Sequence, residues 1–141
     1  MTERINLKEA TNFHGHLGPY LVLGILAGEL ALKRLGCKKY FGLNVLVHGA
    51  NKKPKSCLID GLQLSTGATY GKGNIYKFDG SVIKIEIQNQ IDKKRIVLKL
   101  NKGLIKKLRQ VRTHRDSELL AKELYSTDYS KIFNLTLATP S

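Results

Sequence analysis

The sequence has no tryptophan, one methionine, three prolines and only two cysteines, Cys37 and Cys57. A disulfide scaffold of this size needs more cysteines, so we expect two reduced thiols and a cytoplasmic protein. The first ten residues carry charges of both signs and no apolar core, so no signal peptide is expected. The most apolar stretch, residues 17–32, is shorter than the roughly 20 residues of a membrane helix, and no membrane association is expected.

Acidic residues are also scarce, with 11 Asp and Glu against 24 Lys and Arg, which gives a net charge of +13. Residues 93–115 contain basic side chains and no acidic one. Such a run can bind an anionic ligand, an acidic partner protein or nucleic acid, or it can form a solvated surface. Nucleic acid is not favoured, because no aromatic residue interleaves the run for base stacking.

The length of 141 residues predicts one domain over 1–141, with a core over 5–100 and a helical C-terminal extension over 101–141. Periodicity and turn residues predict helices and strands in alternation. The predicted helices are 5–12, 19–35 with Gly36 as its stop, 57–66 capped by Ser56, 102–112 and 116–126, with a helical turn at 129–133. The predicted strands are 44–48, 75–78, 82–88 and 95–100.

This order predicts an α+β fold, with a mostly antiparallel, mixed four-stranded sheet whose one face is covered by helices. Asp79-Gly80 is typical of a hairpin turn, so strands two to four are expected to form a meander. Helix 19–35 carries a stripe of small residues, namely Gly24, Ala27, Gly28 and Ala31. This stripe favours close packing inside the fold, with a dimer contact as the alternative.

Two histidines, His14 and His16, flank Gly15 in a loop just before the long helix. Neutral imidazole is a good ligand for zinc, nickel or iron, and the positive helix end disfavours the imidazolium form. Capping or packing roles are the alternative. His48 ends the first strand and is expected near the site or in a structural role, whereas His114 is expected to be exposed.

Cys57 begins the third predicted helix and shares a face with Asp60, Gly61 and Leu64 by helical spacing. A thiolate near a helix N-terminus is stabilised and becomes a ligand or nucleophile, although Cys57 can also be a small core residue. The following loop, 66–74, is rich in glycine but lacks the spacing of a phosphate loop. It can still bring backbone amides and Lys72 to an anion.

Two segments together carry a resemblance to a known family. FHGHLGPYLVLGILAGELAL resembles a family segment FHGHxCPG and its long helix, and CLIDGLQLSTGATYGKGN resembles a family segment C-x-x-D-A-I-Q-x-x-T-G-C-T-x-G-K-G-N. Both are typical of the FmdE family, named for the FmdE component of molybdenum or tungsten formylmethanofuran dehydrogenase. The resemblance covers about residues 5–100 of this sequence.

The resemblance implies a two-layer α+β domain similar to the C-terminal domain of glyceraldehyde-3-phosphate dehydrogenase. It also implies a homodimer and a bound divalent metal, with zinc the first choice. The implied ligands are His14, His16 and Cys57. The implied supporting residues are Asp60, Gln63 and Asn74, and the candidates for a catalytic role are Asp60 and Lys72.

This sequence departs from the family pattern at two positions. Gly18 and Ala68 stand where the family has cysteine, and residues 101–141 contain no cysteine, so a C-terminal cysteine-rich zinc ribbon is not expected. Two imidazoles and one thiolate would leave an open metal position. We therefore expect a metal-binding protein, accessory or catalytic, in one-carbon or metallocofactor metabolism. The alternative is a basic binding or assembly module with a degenerate metal site.

Overall fold

Five α-helices and five β-strands make up residues 4–139, the part of the chain that the structure, a computed structural model, describes. The helices are α1 (Leu7–His14), α2 (Pro19–Leu35), α3 (Cys57–Thr66), α4 (Lys102–Arg109) and α5 (His114–Tyr125). The strands are β1 (Leu43–His48), β2 (Ile75–Phe78), β3 (Lys84–Asn89), β4 (Arg95–Leu100) and β5 (Phe133–Ala138), and a 3-10 turn at Tyr129–Lys131 precedes β5.

The strands form one mixed sheet in the order β2-β1-β3-β4-β5, in which only β1 and β2 are parallel. Alternate residues point into the core, so Val45, Ile85, Ile87, Ile96 and Leu98 are fully buried under the helices. Period-two alternation predicts these inward positions on β3 and β4. The predicted α+β class with a mixed sheet is confirmed.

The prediction of a hairpin at Asp79-Gly80 is wrong, because β1 lies between β2 and β3 in the sheet. Only β3 and β4 form a hairpin pair. The chain after β2 instead crosses the end of β1, where Asn51 donates a hydrogen bond to Asp79 and Gly80 lies against the backbone of Gly49. Turn chemistry is local, and it cannot show that β1 offers pairing positions on both of its edges.

The C-terminal extension is not only helical, which corrects the four-stranded prediction to five strands. β5 pairs antiparallel with β4, placing Leu135 opposite Leu98 and Leu137 opposite Ile96. Ile132 and Phe133 are buried in the same core as the rest of the sheet. The extension therefore completes the sheet, and a short edge strand of this kind gives too weak a pattern to separate from a turn.

Helix α2 is the central helix, and α3 lies directly against it through glycine. A Cβ atom at Gly61 would overlap the Leu21 carbonyl oxygen and lie 2.8 Å from the Ile25 nitrogen, and one at Gly24 would lie 2.8 Å from the Leu62 nitrogen. The predicted stripe of small residues thus packs within the chain and presents no free surface to a second copy. This backbone contact fixes the position of α3, and with it the position of Cys57.

No single helix within residues 4–139 is long and apolar enough to cross a membrane. Helices α1 and α2 meet the length and composition test only as a pair, and a bend of 120° separates them.

Candidate metal centre

The turn between α1 and α2 carries both histidines of the first motif. Asn6 caps α1 by accepting a hydrogen bond from the Glu9 amide, and Gly15 ends the helix in the left-handed region with a φ of 109°. His14 is therefore the last residue of α1, and His16 lies in the turn before Pro19 begins α2. Local sequence signals alone bring these two rings together, with 4.8 Å between their centroids.

Helix α3 supplies the other groups from its first turn. The side chain of Ser56 makes no capping hydrogen bond, contrary to the sequence-based expectation, because this residue already has helical dihedral angles. Asp60, one turn into α3, lies 2.6 Å from His14 through its Oδ2 and the imidazole Nδ1. A carboxylate only accepts hydrogen bonds, so in the neutral imidazole Nδ1 carries the proton and the lone pair is on Nε2.

The Nε2 atom of His14 is buried and has no hydrogen-bond partner, and it is the one buried side-chain nitrogen or oxygen in this condition within residues 4–139. Buried polar atoms in folded proteins are nearly always satisfied, because an unpaired one costs about 1–3 kcal/mol. A carboxylate-bound imidazole with a free second nitrogen is the usual arrangement of a metal-ligating histidine. The donor chemistry at this position fits a metal.

Three donor atoms converge here, since the ligand atoms of His14, His16 and Cys57 all lie within 4.8 Å of one another. Tetrahedral zinc, with bonds of about 2.0–2.3 Å, holds its donors about 3.3–3.8 Å apart. Because His16 is exposed and lies in a turn, rotation of its side chain can close this gap. These residues match the ligand set that the family resemblance implied.

The thiol of Cys57 is not activated in the metal-free protein, which differs from the expectation drawn from its place at a helix N-terminus. Burial raises the pKa of this thiol, and the neighbouring Asp60 carboxylate raises it further. Lys53 and the backbone amide of Cys57 oppose the rise without cancelling it. A metal would therefore have to displace a proton from Cys57 on binding.

A cavity of about 190 Å³, here called the metal-side cavity, opens beside these ligands and is lined by His16, Cys57 and Gly18 among others. A Cβ atom at Gly18 would lie 3.4 Å from both His16 Cε1 and Ser117 Oγ, which is ordinary contact. The backbone of Gly18 is extended, a conformation open to any residue. The family's cysteine at this position would therefore project next to His16, and its absence here leaves space beside the ligands.

Ala68, where the family also has cysteine, is fully buried in the core. It follows the C-terminal end of α3, about 15 Å along the helix from Cys57 at 1.5 Å per residue. A thiol at this position would lie far from the converging donors.

The structure separates the remaining predicted residues. Gln63 connects Asp60 to the loop after α3. Its Nε2 lies 3.4 Å from Asp60 Oδ1, and its Oε1 accepts a hydrogen bond from the Tyr70 amide. Asn74 instead follows the opposite end of α3, where it donates to the carbonyl oxygens of Tyr40 and Leu43.

Lys72 also lies beyond that far end of α3. Its ammonium donates to the Gly67 carbonyl oxygen at 2.9 Å and lies over the rings of Tyr40 and Phe41. Lys72 and Asn74 therefore make their hydrogen bonds around the glycine-rich loop, and neither contacts the three converging ligands.

The other two histidines, His48 and His114, are not part of the converging ligand set. His48 lies on the sheet face away from the helices, 2.7 Å from Glu86 and stacked on Phe78. His114 is exposed, as expected, but its ring centroid lies 6.1 Å from that of His16. No spacing rule links residues about a hundred positions apart, so only the fold shows that the start of α5 borders the site.

The basic run 93–115 is divided among several elements of the fold. It spans the β3–β4 turn, β4, α4 and the start of α5. Some of its charges are neutralised by carboxylates, as for Lys107 with Glu123 at 3.0 Å and Arg95 with Glu86 at 3.7 Å. Others, on β4 and α4, line a large cavity next to the candidate centre.

Comparison with known proteins gives a family match over nearly the whole chain. The family described as "FmdE, Molybdenum formylmethanofuran dehydrogenase operon" matches residues 13–138. This chain belongs to the FmdE family. The match extends through β5, beyond the 5–100 segment that carries the resemblance in sequence, so the C-terminal extension is part of the FmdE domain.

A solved structure supports the fold. The crystal structure of an FmdE-like protein of the tungsten formylmethanofuran dehydrogenase type, from Syntrophus aciditrophicus, is similar to this chain with a TM-score of 0.68 and 19% identity. The similarity covers 100% of this chain and 78% of that one.

Among curated proteins, a "Probable S-adenosyl-L-methionine-binding protein" from Archaeoglobus fulgidus is 29% identical over 105 residues. That match covers 72% of this chain but only 28% of the relative, so this chain spans less than a third of the relative's length.

Proposed function

We propose that this FmdE-family protein binds a divalent metal ion, zinc foremost, through His14 Nε2, His16 and Cys57. The observation that carries the proposal is the buried, unpartnered Nε2 of His14, whose ring is held by Asp60 through the other nitrogen. Burial of such a lone pair without a partner costs free energy, and a metal bound to this nitrogen would remove that cost.

Three protein ligands with free space beside them are typical of a catalytic metal centre and not of a closed structural one. A divalent ion bound there supplies a Lewis acid for an oxygen or nitrogen donor of a small molecule. Asp60 fixes the tautomer and orientation of His14, and Gln63 ties Asp60 to the loop after α3. The metal-side cavity has an apolar wall that includes Leu108 and Val111.

The family match supports an accessory or catalytic role in one-carbon or metallocofactor metabolism, and two free thiols are in keeping with a reducing cytoplasm. S-adenosylmethionine binding, named for the Archaeoglobus relative, is not transferred, since most of that protein lies outside the match. Homodimer formation stays a prediction, and the stripe of small residues on α2 is not its basis because α3 covers it.

Metal analysis after zinc loading and dialysis tests the proposal. The wild type should retain about one zinc ion per chain, and His14→Ala and Cys57→Ser should each retain far less. Cys37→Ser and His48→Ala are matched controls, because these residues share the chemistry but lie outside the candidate centre. Equal zinc retention in wild type and both site variants, all folded by circular dichroism, would refute the proposal.

A gain-of-function variant tests the geometry independently. Gly18→Cys restores the family's thiol beside His16 on a backbone that accepts it, so zinc affinity should rise by at least about tenfold through a fourth ligand. Ala68→Cys adds the same thiol at the far end of α3 and should leave zinc affinity unchanged. A rise for Ala68→Cys without one for Gly18→Cys would show that the donors converge elsewhere.

A further inference from the structure

A second and larger cavity, of about 550 Å³, lies beside the candidate metal centre and is here called the basic cavity. It is formed by α4, the end of β4 and the segment before β3. Tyr20 and Leu108 line both this cavity and the metal-side cavity, so the two adjoin. A volume of this size lies within the range of about 300–1,000 Å³ that is typical of small-molecule sites.

The floor of the basic cavity is apolar. Ile83 and Leu100 are buried there, and Ile105 and Leu108 on α4 are half-buried beside them. Such a floor favours the apolar body of a ligand, because its burial removes hydrocarbon surface from water.

The rim carries cations and no anions. Four basic side chains line it, Lys55, Lys99, Lys102 and Arg109, and no carboxylate does. Within residues 4–139 none of the four forms an ion pair with a carboxylate, in contrast to Arg95 and Lys107 of the same basic run. Unneutralised charges of one sign around a concave, low-dielectric surface focus a positive potential and raise the local concentration of anions.

The cationic rim also reaches the boundary between the two cavities. Burial raises the pKa of the Tyr20 hydroxyl, and the nearby Arg109 charge partly opposes this rise. Lys55 is next in the chain to Pro54, which lines the metal-side cavity. A ligand lying on the apolar floor would therefore be flanked by cations, and the metal ligands would lie beyond Tyr20.

We propose that the basic cavity binds a small organic anion with an apolar body and presents it to the metal centre past Tyr20. The first half of this proposal is independent of a metal, and the second half rests on the proposed function. A concave cavity with an apolar floor fits a small molecule better than an extended nucleic-acid backbone, which binds along an open basic surface with little apolar contact.

Binding of phenylbutyrate and of its uncharged analogue phenylbutanol, followed by NMR titration of the metal-free protein, tests the first half. The carboxylate should bind about tenfold more tightly than the alcohol, because the two share the apolar body and differ in charge. Lys102→Glu should reduce carboxylate affinity by about tenfold or more, whereas Lys122→Glu, an equal charge change on the exposed side of α5, should change it by less than about twofold.

The second half is tested with the protein loaded with cobalt(II) or with zinc. Paramagnetic cobalt should broaden the proton signals of bound phenylbutyrate, and diamagnetic zinc should not. The His16→Ala/Cys57→Ser double variant should bind phenylbutyrate as the wild type does but lose the broadening. That pattern separates the two proposals, because loss of metal binding leaves the anion preference intact.

Three results would overturn the inference. Equal affinities for phenylbutyrate and phenylbutanol would show that the rim does not select anions. An anion preference untouched by Lys102→Glu would place it elsewhere. Tight binding of a short DNA duplex that Lys102→Glu abolishes, without carboxylate binding, would assign these charges to nucleic acid instead.

Discussion

The polar groups at the two ends of α3 differ in how completely their hydrogen bonds are satisfied. At the C-terminal end, Asn74 bonds to three backbone groups around the glycine-rich loop, and Lys72 donates to Gly67. At the N-terminal end, Asp60 holds His14 while the second nitrogen of that ring is left buried and unpaired. Both ends come from one family-like segment of sequence, so motif membership does not distinguish them.

This difference indicates which end of α3 is suited to bind a ligand. A polar group whose hydrogen bonds are all made to its own backbone is committed to holding the fold. A group fixed by one partner and open at its other atom is prepared for a ligand that the chain does not supply. We therefore interpret the glycine-rich loop as structural and the turn before α2 as the candidate site.

The largest expected effect comes from the contact that positions both ends of α3. Gly61→Ala should lower the free energy of unfolding by about 3 kcal/mol, since the new methyl group meets backbone of α2 that cannot move aside. Gly71→Ala is the matched control, because a Cβ there has nothing closer than 3.9 Å. Chemical denaturation measures both, and equal stabilities would mean that α3 does not depend on this close approach.

The second largest effect is expected at the C-terminal end of α3, where Asn74 is predicted to stabilise the fold. Asn74→Ala should cost about 2–3 kcal/mol, because it leaves the Thr69 amide and the carbonyl oxygens of Tyr40 and Leu43 without partners. Zinc affinity of the folded protein should not change. Asn134→Ala on the exposed surface is the control for stability, and a loss of zinc affinity without a loss of stability would contradict the assignment.

At the N-terminal end of α3, we expect a substitution to change zinc affinity strongly and stability little. Asp60→Asn should reduce zinc affinity by about 10–100-fold, because the carboxylate that orients His14 and raises its basicity is lost. Stability should change by less than about 1 kcal/mol, since Asp60 is partly exposed. A chelator-competition assay measures the affinity, with Asp128→Asn as the control. Unchanged affinity would remove Asp60 from the centre.

The smallest effect concerns pH. The pKa of the Cys57 thiol is raised in the metal-free protein, so zinc must displace the thiol proton when it binds. Competition between this proton and zinc makes zinc binding weaker as pH falls. Zinc affinity should therefore rise by up to about tenfold per pH unit for this one proton, until the raised pKa is reached. Cys57→Ser should remove this contribution to the slope. An affinity independent of pH would show that the thiol is not a ligand.

Sequence periodicity predicted most elements of this fold because the signals for them are local. Helix α2 begins at Pro19 and ends before Gly36 as expected, and the inward isoleucines of β3 follow from alternation alone. Pairing partners are not local. The position of β1 between β2 and β3, and the addition of β5 at the edge, depend on contacts across the whole chain.

The candidate site divides in the same way. The sequence by itself determined that His14 and His16 share a turn and that Cys57 and Asp60 share the first turns of a helix, because helical and turn geometry act over a few residues. The family resemblance implied that the histidine pair and the Cys57–Asp60 pair form one site, but it gave no physical reason for their contact.

Only the tertiary structure decided that they meet, since the glycine contact between α2 and α3 places Asp60 against His14. The same packing turned Lys72 and Asn74 toward the loop beyond the far end of α3. It also brought Lys55 next to Lys99, Lys102 and Arg109 of the basic run, around a cavity that the sequence alone does not indicate.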